Sequence, residues 1–297
     1  MRFPRLVPLV FPLLALAACS APTDGGGAQP GAPATQAGGS QTGASGASDA
    51  CGKEHLELTT PGSLTIGTDT PAYEPWFLDD EPSNGEGYES AVAYAIAERL
   101  GFERNEVTWV DVPFNTAIAP GPKKFDFDLN QISIKEDRKQ AVDFSSGYYD
   151  VRQAVVTYKG SPIDGRQKVA DLASARLGAQ VGTTSYSAIT EQIKPSAQPN
   201  VFDTNDLAVQ ALKNRQIDGV VVDLPTAFYM TSVQLDDGVI VGQLPAGAEA
   251  EQFGAVLDKE SSLTTCVSGA VDSLREDGTL EKLEQQWLSR QGAPELS

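Results

Sequence analysis

The segments SLTIGT at residues 63–68 and GYESAVAYAIAERL at residues 87–100 are the clearest indicators of the fold class. The first is a short run of apolar and β-branched residues, which predicts a buried strand. In the second, Val92, Ile96 and Leu100 recur on one helical face and a glycine follows, which predicts a helix with a glycine cap. A strand that leads into a helix is the repeating unit of α/β folds with parallel sheets.

The same alternation continues along the chain in two sets. After the first set, the run VRQAVVTY at residues 151–158 is extended in character, and a second extended run follows at residues 253–257. Further strands are predicted at residues 107–112, 127–132, 176–181, 201–202, 219–222 and 239–242, and helices at residues 185–193, 206–214, 226–233, 261–275 and 279–289.

Two α/β units connected by two extended segments predict a bilobed molecule with a hinge. The predicted lobe 1 comprises residues 51–155 and 250–297, and the predicted lobe 2 comprises residues 156–249. Ligands in such folds bind where the loops at the carboxyl ends of the strands converge. We therefore expect a binding cleft between the lobes.

The N-terminal residues have the features of an export signal. Arg2 and Arg5 precede an apolar run at residues 6–16, and the small residues of Leu16–Cys19 end it, so that the chain continues with a cysteine. This pattern predicts a bacterial lipoprotein signal at residues 1–18 and lipid on Cys19, which anchors an extracytoplasmic protein to the cell membrane. The alternative is an ordinary secretory signal with an incidental cysteine.

Residues 19–50 consist almost entirely of Gly, Ala, Ser, Thr, Gln and Pro. Such a composition offers too few large apolar side chains to bury a core, so it predicts a disordered stalk. A flexible segment of this length spans on the order of 30 Å. It would hold the folded region away from the membrane surface and allow it to turn.

Charge and cysteine content exclude several partners. The formal net charge of −18 argues against binding to nucleic acid or to anionic lipid. With Cys19 assigned to lipid, Cys51 and Cys266 remain as a pair in an oxidising compartment, which predicts a disulfide bond. The single histidine, His55, leaves no credible zinc site, and we expect no metal or cofactor.

Nearly the whole predicted folded region resembles the bacterial extracellular solute-binding proteins of family 3, which supply polar amino acids to ABC importers. Any one of the shared motifs is weak, but their order and spacing are specific. They are LTIGTDTPAYEPW (64–76), GYESAVAYAIAERLG (87–101), VPFNTAI (112–118), FDFDLNQISIKEDRKQAVDFSSGYY (125–149), GAQVGTT (178–184), DGVVVD (218–223) and REDGTLEKLEQQW (275–287).

The resemblance implies a bilobed, type II periplasmic-binding-protein fold, two parallel-sheet lobes joined by two hinge strands, and an ABC permease as partner. It also implies that Arg138 binds the carboxylate of the amino acid, because a guanidinium can donate two parallel hydrogen bonds. The alternative for Arg138 is a surface ion pair with Glu136 or Asp137.

Two further positions match ligand-binding residues of the family. Thr183 and Thr184 lie at a helix start, where N–H and hydroxyl donors meet, and their alternative role is helix capping. Asp223 matches the aspartate that receives the α-ammonium group, although Asp223 before Leu224 and Pro225 also has the pattern of a helix N-cap.

The walls of the cleft are predicted by the same resemblance. Asp69, Tyr73 and Trp76 follow the first strand, and Phe114 lies opposite, although the aromatic residues could equally belong to the core. Amides at several positions, with Lys135 nearby as a solvated residue or a second cation, favour a glutamate or glutamine-like ligand. The remaining predicted wall residues are Asn130, Gln131, Ser133 and Gln180.

Two other functions remain open on the sequence. One is a dehydratase-like enzyme on the same scaffold, but no Ser-His-Asp or Cys-His set accompanies the cleft motifs, so we expect no catalysis. The other is a sensory module whose ligand-bound form signals to a membrane receptor, which fold and cleft cannot distinguish from transport.

Overall fold

A computed structural model describes residues 51–247, 250–288 and 292–297. The predicted signal peptide at residues 1–18, the lipid attachment at Cys19 and the stalk to residue 50 lie outside the described residues. None of the described helices is both long enough and apolar enough to cross a membrane.

The described strands form two five-stranded sheets. In chain order they are β1 (Leu64–Thr68), β2 (Val107–Asp111), β3 (Phe127–Asp128), β4 (Asp143–Val151), β5 (Gln153–Tyr158), β6 (Leu177–Gln180), β7 (Asn200–Phe202), β8 (Gly219–Asp223), β9 (Gly238–Gln243) and β10 (Glu251–Leu257).

The α-helices lie between these strands and after the last of them. They are α1 (Tyr88–Arg99), α2 (Phe114–Ala117), α3 (Thr184–Ala188), α4 (Asn205–Lys213), α5 (Leu224–Tyr229), α6 (Thr264–Glu276) and α7 (Thr279–Trp287). Helices α3 and α5 continue as single π-helical turns at Ile189–Ile193 and Met230–Gln234.

Each sheet defines one lobe. Lobe 1 has the strand order β2-β1-β3-β10-β4, and lobe 2 has the order β7-β6-β8-β5-β9. In each sheet three neighbouring strands pair in parallel, whereas β10 in lobe 1 and β5 in lobe 2 are antiparallel to both of their neighbours. The α/β bilobed class is confirmed, but the sheets are mixed and not wholly parallel. The two antiparallel strands are those that bring the chain across from the other lobe.

The chain changes sheet at Arg152. Strand β4 pairs with β10 up to Val151, and β5 pairs with β8 and β9 from Gln153 onward. The sheet pairing therefore changes slightly before the predicted lobe boundary at residues 155/156. Together with the return into β10, this crossing forms the connection between the lobes.

Two elements differ from the sequence-based expectation. The strand predicted at residues 127–132 ends at Asp128, and the backbone of Gln131 has φ of +48°, a left-handed conformation that no strand continues through. Strand β4 begins at Asp143, upstream of the predicted extended run. The prediction missed its first half because the serines and glycine there do not show a β pattern.

The core of lobe 1 confirms the helical face predicted for α1. Val92 and Ile96 are fully buried against the sheet, together with Ile66 of β1. On the same face, α6 carries Cys266, which is bonded to Cys51. The predicted disulfide is therefore present in the structure, and it ties the start of the folded region to a late helix.

Candidate functional site

A cavity between the two lobes is lined by side chains from both. The segment after β1, the turn after β3 and the helix start after β6 converge there, as do the ends of β5 and β8. Its lining includes these predicted site residues: Asp69, Tyr73, Phe114, Asn130, Gln131, Ser133 and Arg138 from lobe 1, and Gln180, Thr183, Thr184 and Asp223 from lobe 2.

Arg138 is a buried cation of this cavity, with 9% of its surface exposed. Its Nη1 donates to the carbonyl oxygen of Ser133 at 2.7 Å, and its Nη2 donates to the carbonyl of Gly182 in lobe 2 at 2.8 Å. The guanidinium also lies 5.6 Å from the ring centroid of Phe114. Burial lowers the pKa of Arg138, so a ligand anion beside it would stabilise the charged guanidinium.

The alternative surface pairing of Arg138 is not what the structure has. Glu136 pairs with Lys139, with 2.6 Å between Oε1 and Nζ. Asp137 accepts a hydrogen bond from the backbone N–H of Arg138, which caps the 3₁₀ turn Arg138–Gln140 and leaves the guanidinium directed inward. Lys135 is half-buried and does not line the cavity.

Asp223 occupies both of the positions that its sequence context allows, at the start of a helix and on the cavity wall. It caps α5, because its Oδ1 accepts from the backbone N–H of Thr226 at 3.0 Å and its Oδ2 accepts from the Thr226 hydroxyl at 2.9 Å. It also lines the cavity. Burial raises the pKa of Asp223 to about 6. A carboxylate has about four acceptor positions, so two remain for a ligand.

The two threonines after β6 make different contacts, one within lobe 2 and one across the cleft. Thr183 caps α3, accepting from the backbone N–H of Tyr186 at 3.4 Å, and donates to the carbonyl of Gln180 at 2.8 Å. Thr184 is directed across the cleft, and its Oγ1 lies 3.3 Å from Oγ of Ser133 in lobe 1. With the contact between Arg138 and Gly182, this hydroxyl pair shows that the lobes are closed on one another.

The loop after β1 is held in place by Asp69. Its Oδ1 accepts from the backbone N–H of Thr70 at 2.8 Å, and its Oδ2 accepts from the backbone N–H of Phe114 at 3.1 Å. Burial raises the pKa of Asp69, which nevertheless lines the cavity beside Tyr73. The Asp69 carboxyl therefore holds the loop that forms one wall of the cavity and is itself an acidic group on that wall.

Trp76, predicted as a wall residue, lies behind the wall and does not line the cavity. Its ring is fully buried in the lobe 1 core, where it packs edge-on against Tyr88, Tyr149 and Phe253. A large aromatic ring in such a loop suits either environment. Only the packing of the lobe distinguishes them.

Other lining residues escaped sequence analysis. Thr68 is the last residue of β1, immediately before Asp69, and the ends of strands are where such sites form. Its Oγ1 and the Nδ2 of Asn130 are buried and have no hydrogen-bond partner among the described residues. Buried polar atoms are normally paired, so these two are available to a ligand. The remaining lining residues that were missed include Gln153, Ser185, Asn205 and Phe253.

Two buried acids lie beneath the lobe 1 wall. Glu89 accepts from the backbone N–H of Gln131 at 2.7 Å, and also from its side-chain amide and from the Tyr148 hydroxyl. Burial raises the pKa of Glu89 to about 7. Asp128 is fully buried, its carboxyl oxygens have no hydrogen-bond partner among the described residues, and burial raises its pKa well above the ordinary value.

The family model for bacterial extracellular solute-binding proteins, family 3, matches residues 64–290. The chain belongs to this family. The match covers every strand of both lobes and all the cavity-lining segments described above, so family membership and the cleft geometry concern the same part of the molecule.

Relatives of this family 3 chain include binding proteins for basic amino acids. It is 27% identical over 246 residues to the arginine-binding extracellular protein ArtP of Bacillus subtilis, covering 81% of this chain and 92% of that protein. It is 29% identical over 235 residues to a probable histidine-binding protein of Campylobacter jejuni, covering 78% of this chain and 87% of that protein.

The fold of this family 3 chain is similar to that of solved binding proteins. One is an ancestral arginine-binding protein bound to glutamine, with 30% identity and a TM-score of 0.64 over 77% of this chain and 98% of that chain. The two-lobed α/β architecture is thus shared by this chain and a solved amino-acid-binding protein.

Proposed function

We propose that this chain is an extracytoplasmic receptor that binds a polar L-amino acid between its lobes and delivers it to the permease of an ABC importer. The observation that carries the proposal is the placement of Arg138 and Asp223 on opposite lobes of one cavity. A zwitterion needs a cation and an anion in its site, and burying either ligand charge without a partner would cost several kcal/mol.

At the carboxylate end, Arg138 is the principal ligand group. A guanidinium has five N–H donors, and among the described residues Arg138 donates two hydrogen bonds to backbone carbonyls. The other N–H groups can donate to a ligand. The hydroxyl of Thr184 lies on the same cavity and can supply a further donor from lobe 2, whereas the Ser133 hydroxyl, 3.3 Å from it, donates to Glu251 at 2.6 Å. A bound carboxylate would therefore be held from both sides.

At the ammonium end, Asp223 accepts the ligand in its ionised form. Its existing hydrogen bonds from Thr226 stabilise the carboxylate, while burial disfavours it. A ligand ammonium supplies the missing positive charge and restores the ionised form. Binding and ionisation of Asp223 are thus coupled.

The side-chain wall favours a basic or amide side chain over an acidic one. Asp69 lines it, and Glu89 and Asp128 are buried behind it, all with raised pKa values. A ligand cation would stabilise the ionised form of these acids, whereas a ligand carboxylate would disfavour it further. The amides at Asn130, Gln131 and Gln180 have both donors and acceptors, so they can bind either a basic or an acidic ligand side chain. We therefore retain glutamine-like ligands, place arginine-like ligands beside them, and rank glutamate last.

The proposed location rests on the N-terminal pattern. Lipid on Cys19 would hold the chain at the outer face of the membrane that contains the permease, and the stalk to residue 50 would give the lobes room to dock. Mass spectrometry of the membrane-extracted protein should find a diacylglyceryl group on an N-terminal Cys19, and a soluble product cleaved elsewhere would contradict the anchor.

Calorimetry with the purified chain and a panel of arginine, lysine, histidine, glutamine and glutamate tests the binding function. We expect micromolar affinity, about 8 kcal/mol, for at least one basic or amide ligand. The panel is repeated with Arg138→Ala and with Arg176→Ala, a matched control whose guanidinium pairs with Asp218 away from the cavity. Failure of a folded chain to bind any of these amino acids would overturn the proposal.

A further inference from the structure

A single side-chain hydrogen bond connects the lobe 1 core to the ammonium end of the cleft. Nε1 of Trp76 lies 3.0 Å from Oγ1 of Thr226 in lobe 2. Trp76 is fully buried and Thr226 is 5% exposed, so water does not compete for this contact. Neither residue lines the cavity itself.

The Trp76 ring is held rigidly by lobe 1. Its neighbours Tyr88, Tyr149 and Phe253 have ring centroids 6.0, 5.3 and 5.5 Å away, all in edge-on arrangements. Close aromatic packing of this kind leaves the indole no freedom to follow the other lobe. The N–H of Trp76 can therefore reach Thr226 only when the lobes are together.

The hydroxyl of Thr226 transmits the contact to Asp223. A hydroxyl has one proton to donate and can accept in return. Because Thr226 accepts from the indole N–H, its own proton is free for Oδ2 of Asp223, which lies 2.9 Å away. The donor order is fixed from Trp76 through Thr226 to Asp223, and hydrogen bonds in such a chain strengthen one another.

We propose that Trp76 and Thr226 form a closure latch that holds the two lobes together and orients Asp223 toward the ligand ammonium. Both are positioning residues, because they act through Asp223 and do not touch the ligand. The latch breaks when the lobes separate, which leaves the indole N–H and the threonine hydroxyl without each other. It therefore slows ligand release. Its effect on ligand release rests on the proposed function, whereas the contact itself does not.

The first experiment needs no ligand. The chain has three tryptophans, Trp76, Trp109 and Trp287, whose indole N–H signals can be assigned in ¹H–¹⁵N spectra with Trp→Phe variants. Thr226→Val should shift the Trp76 signal and accelerate its hydrogen exchange, and Thr226→Ser, which keeps the hydroxyl, should restore both. The Trp109 signal is the internal control, since its Nε1 bonds to the Tyr94 hydroxyl at 3.2 Å within lobe 1. An unchanged Trp76 signal in Thr226→Val would overturn the latch.

The second experiment measures dissociation of the tightest-binding amino acid of the panel. Trp76→Phe keeps a ring in the core and removes the N–H, so the dissociation rate should rise about fivefold, the effect of one lost hydrogen bond. Trp109→Phe should leave it unchanged. Thr226→Val should release ligand at least as fast as Trp76→Phe, and combining the two should add little, because they break the same chain.

The outcomes separate the latch from the proposed function. If Trp76→Phe and Trp109→Phe release ligand at the same rate, the latch is wrong although the receptor function stands. If the wild-type chain binds no amino acid of the panel, the proposed function fails, and the ligand-free spectra alone decide whether Trp76 and Thr226 hold the lobes together.

Discussion

Lobe 1 and lobe 2 are built alike but present different chemistry to the cleft. Both sheets place three parallel strands beside one antiparallel strand from the crossing, followed by an edge strand. On the lobe 1 wall, Thr68 and Asn130 have buried polar atoms without a partner among the described residues. On the lobe 2 wall, Thr183 and Asp223 are already bonded within their own lobe.

This difference assigns the lobes different tasks. Unpartnered donors and acidic groups make lobe 1 the side that would gain most from a ligand, so under the proposed function lobe 1 would select the amino acid. The lobe 2 groups are already hydrogen-bonded within their own lobe, so under the proposed function lobe 2 would close over a ligand that lobe 1 has bound. Variants of the lobe 1 residues that line the cavity should mainly change which ligand binds and how strongly, and variants of the lobe 2 hydroxyls and of the latch should mainly change how long the ligand stays.

The largest expected effect is that of Arg138→Ala in lobe 1. It removes the buried cation and leaves the ligand carboxylate without its ionic partner, which should weaken binding by about 2 to 5 kcal/mol. Calorimetry measures the loss, and Arg176→Ala is the control. A loss smaller than that of any lobe 2 variant would reverse the assignment of the lobes.

Removing the disulfide should destabilise lobe 1. Cys51→Ser combined with Cys266→Ser should lower the free energy of unfolding by about 2 to 4 kcal/mol, because the unfolded chain regains its freedom. All three tryptophans lie on lobe 1, so denaturant titrations followed by tryptophan fluorescence report on that lobe. Neither cysteine lines the cavity, and ligand affinity of the folded variant should stay the same.

Ligand affinity should fall in acid because of Asp223 in lobe 2. Its folded-state pKa of about 6 lies above the ordinary value of 3.8, so protons bind to the empty cleft more readily than to the unfolded chain. The free protein therefore loses stability as the pH rises between these values, whereas binding of an ammonium, which needs the carboxylate, becomes stronger. Affinity for arginine should be about tenfold lower at pH 5 than at pH 7.5.

Glu89 could also cause a pH dependence in this range, because burial raises its pKa to about 7. Its contribution therefore has to be measured separately. Glu89→Gln should keep most of the loss of affinity between pH 7.5 and pH 5. Calorimetry in buffers of different ionisation enthalpy should also detect proton release on binding near pH 6. If Glu89→Gln abolishes the pH dependence, the effect belongs to lobe 1 and not to Asp223.

The smallest expected effect is that of Thr184→Val. It removes one hydroxyl contact across the cleft, to Ser133, and should weaken binding by about threefold. Because the contact exists only between closed lobes, stopped-flow measurements should place the change in the dissociation rate. An equal change in the association rate would show that Thr184 takes part in the first encounter.

The fold was largely predictable from short-range patterns. Apolar spacing in α1 and the β-rich runs at β1 and β2 specify their own secondary structure, because burial on one face requires that periodicity. Strand β4 was predicted only at its end, since its polar residues follow no alternation, and it forms because β10 provides a partner. The direction of β5 and β10 depends equally on partners distant in sequence.

The family resemblance predicted that Arg138 and Asp223 lie on the cleft, and both line the cavity, but the sequence left open whether Asp223 caps a helix or faces the cavity. A helix cap and a cleft carboxylate call for the same residue type at the same position, and only the coordinates show that Asp223 both caps α5 and lines the cavity. Trp76 was predicted on the wall by the family resemblance, but an aromatic residue in a loop can face either the cleft or the core, and only the packing of lobe 1 places it in the core. The buried acids Glu89 and Asp128 carried no sequence signal, because burial arises from the whole lobe.

Local physics thus sufficed for the α/β class and the paired cysteines, since periodicity and compartment can be read from the sequence, whereas the charged residues of the cleft were predicted through the family resemblance. Long-range packing was needed to bring Trp76 to Thr226 and to raise the pKa of Asp223. It also buries the polar atoms of Thr68 and Asn130 without a hydrogen-bond partner among the described residues. Each of these depends on which surfaces exclude water together, and that is a property of the assembled lobes.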